Sequence, residues 1–147
     1  MAIEIVPVIL LPTMDAGRFE RCTFALDERR ATMTIYMTDL EPFVVRFNRL
    51  CWHRFTPHDE CTSTLSEGCH MAVAEVKNSP ALKHHIAREK IPEKEARELH
   101  HYKIFFGKGG CHEAFAASAS LRWRDLPTGW GRVKSLFTPA TKAGGRE

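Results

Sequence analysis

Two stretches of this chain alternate apolar and polar residues with a period of two, and they stand close enough together to pair. In Arg21–Leu26 the residues Cys22, Phe24 and Leu26 share one face, and in Ala31–Met37 the residues Ala31, Met33, Ile35 and Met37 do. Successive side chains of a strand point to opposite faces, so each stretch reads as a strand with one buried side. Asp27–Arg30 between them is polar and short enough to turn an antiparallel hairpin, without the Asn-Gly or Asp-Gly pair that marks the tightest turns. Ile3–Leu11, interrupted by Pro7, reads as an edge strand ahead of the hairpin.

Beyond the hairpin the periodicity changes to that of a helix. Thr38 and Glu41 have capping-box spacing, Pro42 falls in the first turn, and Leu40, Phe43, Val44, Phe47, Leu50 and Cys51 form one stripe. This spacing predicts a helix over Thr38–Phe55. A second helix is expected from Thr64, with Glu67 three residues on and Leu65, Cys69, Ala72, Val73 and Val76 as its stripe. Ser79-Pro80 has the form of an N-cap and first-turn proline, and Ile91-Pro92 restarts the pattern, which predicts helices near 80–89 and 92–104. Tyr102–Phe106 also fits a strand, and Cys111–Ser120 fits a small-residue helix or a strand equally. A last short helix would carry Trp130, Val133 and Phe137.

Strands first and helices afterwards argue for an α+β fold rather than an alternating parallel sheet. The expected architecture is an N-terminal antiparallel hairpin or small meander packed by the Thr38–Phe55 helix, with a mostly helical C-terminal half. The length, 147 residues, suits one domain over 1–137, and the Gly- and Pro-containing, apolar-poor end predicts a flexible tail over 138–147. With 44% hydrophobic and 27% charged residues the chain has the material for a core and is not disordered in bulk.

Met1–Pro12 has no basic residue before its apolar run, carries Glu4 and is too short to span a bilayer, so no membrane association is expected. Five cysteines scattered along a chain of this size predict free thiols and a reducing, cytoplasmic setting rather than a disulfide framework.

Charge is unevenly placed. Residues 1–76 hold 11 acidic and 7 basic side chains, a net of −4, whereas 77–147 hold 7 acidic and 14 basic, a net of +7, and every lysine lies at or beyond Lys77. Arg122, Trp123, Arg124, Trp130, Arg132 and Lys134 interleave cations with large rings, and Lys108 sits in the loop Gly107–Gly110. Cations neutralise phosphates and an exposed indole stacks on an unpaired base, which is what a sequence-tolerant RNA or single-strand surface needs. The alternative for the tryptophans is a core role with arginines snorkelling around them.

Two sulfur-and-imidazole patterns compete with that reading. Gly68-Cys69-His70-Met71-Ala72-Val73-Ala74 is echoed by Gly110-Cys111-His112-Glu113-Ala114-Phe115-Ala116. A cysteine in the first turn of a helix is a stabilised thiolate, so Cys69 or Cys111, with His112 or another histidine as base, is the candidate nucleophile of a hydrolase or protease. Cys51, His53, His58 and Cys61 are the candidate ligands of a structural zinc, although no pair of C-x-x-C motifs is present. The doublets His84-His85 and His100-His101 would bring one imidazole each to a shared contact if their helices ran antiparallel.

G-x-S-x-G, H-E-x-x-H, Walker, deaminase and EF-hand patterns are all absent. The sequence therefore reads as a small intracellular binding protein without catalysis or cofactor, contacting nucleic acid or a nucleic-acid-handling partner through its basic C-terminal half. A motif-poor compact domain is also compatible with a viral or phage accessory protein, or with a protein-directed inhibitor carrying the zinc site.

Overall fold

The computed structural model describes residues 2–11 and 18–123. Nine strands run as β1 (Glu4–Leu10), β2 (Phe19–Asp27), β3 (Arg30–Met37), β4 (Phe43–Asn48), β5 (Trp52–Thr56), β6 (Ala72–Lys77), β7 (His100–Phe105), β8 (Cys111–Ala116) and β9 (Ser118–Trp123). Three helices are interleaved: α1 (Ser63–Ser66), α2 (Pro80–Arg88) and α3 (Glu93–Ala96). All strand pairs are antiparallel, in a five-stranded sheet ordered β1-β6-β7-β8-β5 and a four-stranded sheet ordered β2-β3-β4-β9.

The two sheets face one another across a common core. Met33, Ile35, Phe43, Val45 and Phe47 of the four-stranded sheet meet Val73, Tyr102, Ile104 and Ala114 of the five-stranded one, and Phe47 lies 5.9 Å from the Tyr102 ring. Period-two patterning decides this arrangement, because each strand can turn alternate residues inward only if a second sheet covers them. The outer side of the five-stranded sheet is covered in turn: His85 of α2 packs on Phe115, and Lys103 donates to the Thr64 and Leu65 carbonyls of α1 at 3.3 and 2.8 Å.

The fold corrects the α+β expectation. Strands hold 51% of the described residues, and the C-terminal half is not mostly helical. Thr38–Phe55 is no helix but the turn that follows β3, then β4 and most of β5. Phe43, Val45 and Phe47 turn inward while Val44, Arg46 and Asn48 face out, and the β-branched and aromatic run Phe-Val-Val-Arg-Phe prefers the pleat. The helix from Thr64 stops within one turn, because Gly68 (φ +76°) and Met71 (φ +52°) leave helical conformation, and the rest of its stripe is β6. The helix expected over 92–104 likewise shortens to α3 and continues as β7.

Other expectations hold. The hairpin is β2–β3, paired from Phe19↔Met37 to Asp27↔Arg30, and the edge strand is β1. In α2, Ser79 caps as expected: its Oγ accepts the Leu82 N–H at 3.0 Å, with Pro80 in the first turn. The expected last helix and the tail lie outside the described residues.

Candidate functional site

Two places on this frame concentrate chemistry. One is the outer face of the four-stranded sheet, where every second residue of each strand points. β2 contributes Arg21 and Thr23, β3 contributes Arg30, Thr32, Thr34 and Tyr36, β4 contributes Val44 and Arg46, and β9 contributes Ser120 and Arg122. The Arg21 guanidinium lies 3.8 Å from the centre of the Tyr36 ring, a cation–π stack. Arg46 Nε is enclosed, with no hydrogen-bond partner among the described residues. None of these four arginines pairs with a carboxylate among the described residues. The face keeps its acids at its ends: Asp27 is opposite Arg30 in register, and Glu20, at the β2 bulge, accepts from Thr38 Oγ1 at 3.1 Å.

The other place is the open seam of the sandwich, between the edge strands β2 and β5. Cys22 Sγ lies 3.4 Å from His112 Nε2, and His112 Nδ1 lies 3.2 Å from His53 Nε2. A thiol is the better donor of the first pair, so Cys22 donates to Nε2; the His112 Nδ1–H then donates to His53. Rings fix both imidazoles: Phe24 stacks on His53 at 3.8 Å, and Phe55 and Phe106 flank His112 at 4.8 and 5.9 Å. A cleft of about 390 Å³ opens onto Cys22 and His112, walled by Phe19, Phe55 and Gly109 with Glu20 and Arg21 at its margin. Burial pushes the Cys22 thiol up to about 11 and pulls His112 down to about 4, the latter helped by neighbouring His53. The resting pair is a neutral thiol on a neutral imidazole, not the thiolate–imidazolium couple of an activated nucleophile.

The residues singled out in the sequence are dispersed. Cys69 and Cys111 are fully buried on the far side of the five-stranded sheet, and neither starts a helix: Cys69 precedes β6 and Cys111 opens β8. The Cys111 thiol, and then the Lys103 ammonium, hold the Cys69 thiol below its usual range against the opposing pull of burial. Hydrogen bonding to Cys69, then burial, drives Cys111 upward. Residue alternation along β8 sends the His112 ring to the opposite face from Cys111, and no imidazole bonds either thiol.

The four zinc candidates do not converge. Cys51 is held by Arg29 at 3.4 Å, His53 by His112, His58 by Asp59 at 3.4 Å, and Cys61 donates to the Pro57 carbonyl at 3.4 Å. Among the described residues no group of three or more His, Cys, Asp or Glu side chains is placed to hold a metal ion. Of the histidine doublets, His85 and His101 each pack on Phe115, at 5.1 and 5.0 Å, and His100-His101 lies on the strand β7 rather than on a helix.

Of the basic candidates, Arg122 is exposed on the face just described. Trp123 pairs through its backbone with Phe43. Lys108 is exposed in a single turn of 3₁₀ helix, whose Gly109 and Gly110 N–H groups already bond the Phe106 and Gly107 carbonyls, leaving neither for a phosphate. Arg124, Trp130, Arg132 and Lys134 lie outside the described residues.

Sequence reasoning did not single out Cys22, Arg21, Arg30 or Arg46. The alternation Cys22-x-Phe24 against His53-x-Phe55 carried the signal for the seam, but only if 52–56 is read as a strand. Among the described residues no helix is long and apolar enough to cross a membrane. Comparison with known proteins finds no matching family model, no matching curated protein and no matching solved structure.

Proposed function

We propose that this protein is a non-catalytic binding protein that takes single-stranded nucleic acid, RNA foremost, across the outer face of its four-stranded sheet. The observation that carries the reading is the set of four arginines, Arg21, Arg30, Arg46 and Arg122, gathered with Tyr36 on one face and, among the described residues, paired with no carboxylate. An unpaired guanidinium is a phosphate ligand by charge and geometry, and its plane also stacks on bases. A strand laid on a pleated sheet meets phosphate-binding and stacking groups at alternate positions, while the short hydroxyls of Thr32, Thr34 and Ser120 leave room between them. The face is not a product of the basic C-terminal half alone. Three of its arginines come from the acidic first half, and Arg122 joins them because β9 pairs with β4.

The test is fluorescence anisotropy with labelled single-stranded and duplex RNA and DNA at low and physiological salt, comparing wild type with the Arg21→Glu, Arg30→Glu, Arg122→Glu triple variant. Wild-type binding is expected to be strongest for single-stranded RNA and steeply salt-dependent, and the variant to lose most of it with a salt slope lower by about two. Equal binding by the variant removes the face from consideration. No binding by wild type even at low salt redirects the reading to a protein partner.

A further inference from the structure

Cys22 is the one cysteine of the five whose sulfur meets an imidazole. Cys51 is held by a guanidinium and the Arg49 carbonyl, Cys61 donates to two backbone carbonyls, and Cys69 and Cys111 have no exposure. The sulfur and nitrogen face each other at 3.4 Å at the floor of an open cleft. We propose that Cys22 and His112 form a binding site for a single Cu(I) ion, which replaces the thiol proton between Sγ and Nε2. The inference is independent of the nucleic-acid reading, since Cys22 turns toward the seam by alternation along β2 while Arg21, at the cleft margin, turns to the other face.

The choice of ion follows from ligand number and softness. Zinc wants four ligands in a closed structural site, and no third His, Cys, Asp or Glu converges here among the described residues. A soft monovalent d¹⁰ ion is satisfied by two donors in line, and thiolate with imidazole is a donor set it prefers. The S–H···N arrangement already sets the two donors on opposite sides of one hydrogen. Substituting the ion requires them to move apart by a fraction of an ångström, at a seam with solvent on one side. The step balances without redox chemistry: Cys22 loses its proton to solvent, Cu(I) takes its place on sulfur and accepts the His112 Nε2 lone pair, and the site changes by no net charge.

The surroundings favour that ligation. His112 donates its other ring N–H to His53, the outer hydrogen bond that fixes a ligating imidazole's orientation and raises its basicity. Phe24, stacked on His53 with the ring planes 13° apart, holds that second imidazole in turn. Phe55 and Phe106 pack against the His112 ring and fix its position beside Cys22. Gly109 sets the wall on the other side: a Cβ there would come within 2.4 Å of the Phe19 ring.

The experiment titrates the reduced full chain anaerobically with Cu(I) delivered as its bicinchoninate complex, reading transfer from the loss of colour and mapping thiols afterwards by alkylation and mass spectrometry. One equivalent is expected to transfer, with Cys22 protected and a proton released. Cys22→Ala and His112→Gln should each abolish that equivalent. His53→Gln should keep it and weaken it by roughly 10–100-fold, the usual effect of losing an outer hydrogen bond. Cys51→Ser and Cys61→Ser should leave it unchanged, and circular dichroism identifies any variant that does not fold. Transfer that persists in folded Cys22→Ala or His112→Gln overturns the proposal. So does a Co(II) adduct with a tetrahedral spectrum, which would mean a four-ligand site.

Discussion

Ser79 Oγ and His101 Nδ1 lie 2.7 Å apart in a buried contact that ties the start of α2 to the middle of the five-stranded sheet. The same oxygen accepts the Leu82 N–H, so one hydroxyl caps a helix and meets one nitrogen of an imidazole at once. Ser79→Ala removes both bonds and leaves a buried ring nitrogen without a partner. A loss of about 2 kcal/mol is expected, the sum of a cap and an unmet polar group, measured by urea unfolding. A change within error of zero would mean that water replaces the hydroxyl.

His101 also gives the protein an acid limb. Burial, with Lys103 and Arg54 adding to it, lowers its pKa from 6.5 to about 4. Above pH 6.5 neither folded nor unfolded chain is protonated there, and the residue adds no pH dependence. Between 6.5 and 4 the unfolded chain binds the proton and the folded one does not, so stability falls as pH falls, by about 3 kcal/mol in all. Unfolding followed from pH 7.5 to 4 should show this slope, and His101→Gln should reduce it, leaving the part that His112, also lowered to about 4, contributes. An unchanged slope in the variant would assign the acid limb elsewhere.

Phe47 joins the two sheets, being 2% exposed and set against Tyr102. Phe47→Ala should cost about 3–5 kcal/mol, with a single unfolding transition retained, because the cavity opens in the one core that both sheets share. Two separate transitions by fluorescence and circular dichroism would show that the sheets unfold independently.

Gly110 has φ +83° and ψ −170°, a conformation open in practice to glycine alone, and an added Cβ would meet the Thr56 carbonyl oxygen at 2.6 Å and the Phe55 ring at 2.8 Å. Gly110→Ala is therefore expected to destabilise by about 2 kcal/mol or more and to displace Phe55 from the cleft. Chemical denaturation gives the first. A shift in the His112 ring resonances gives the second.

What could be read in the sequence was local. Cys22-x-Phe24-x-Leu26 and Ala31-x-Met33-x-Ile35-x-Met37 admit only one period, and the structure pairs them as read. Ser79-Pro80 encodes its own cap. Phe43, Val44, Phe47, Leu50 and Cys51, by contrast, satisfy helical spacing as well as Phe43, Val45 and Phe47 satisfy alternation, and short apolar runs do not resolve that tie. Val45, absent from the helical stripe yet fully buried, is the residue that settles it. The seam site was hidden for the same reason. Once 52–56 is read as helix, His53 has no face in common with Cys22 or His112, and the contact between positions 22 and 112 depends on a pairing of distant strands that local patterning does not encode.

The β4–β9 pairing has a consequence for how the chain is made. Asn48 hydrogen-bonds Ser118, 70 positions later. A ribosome adding about 5–20 residues per second exposes the inner strand of the four-stranded sheet for roughly 4–14 s before its neighbour is synthesised. During that interval Phe43–Asn48, an apolar run with one free edge, is the segment a chaperone would find first.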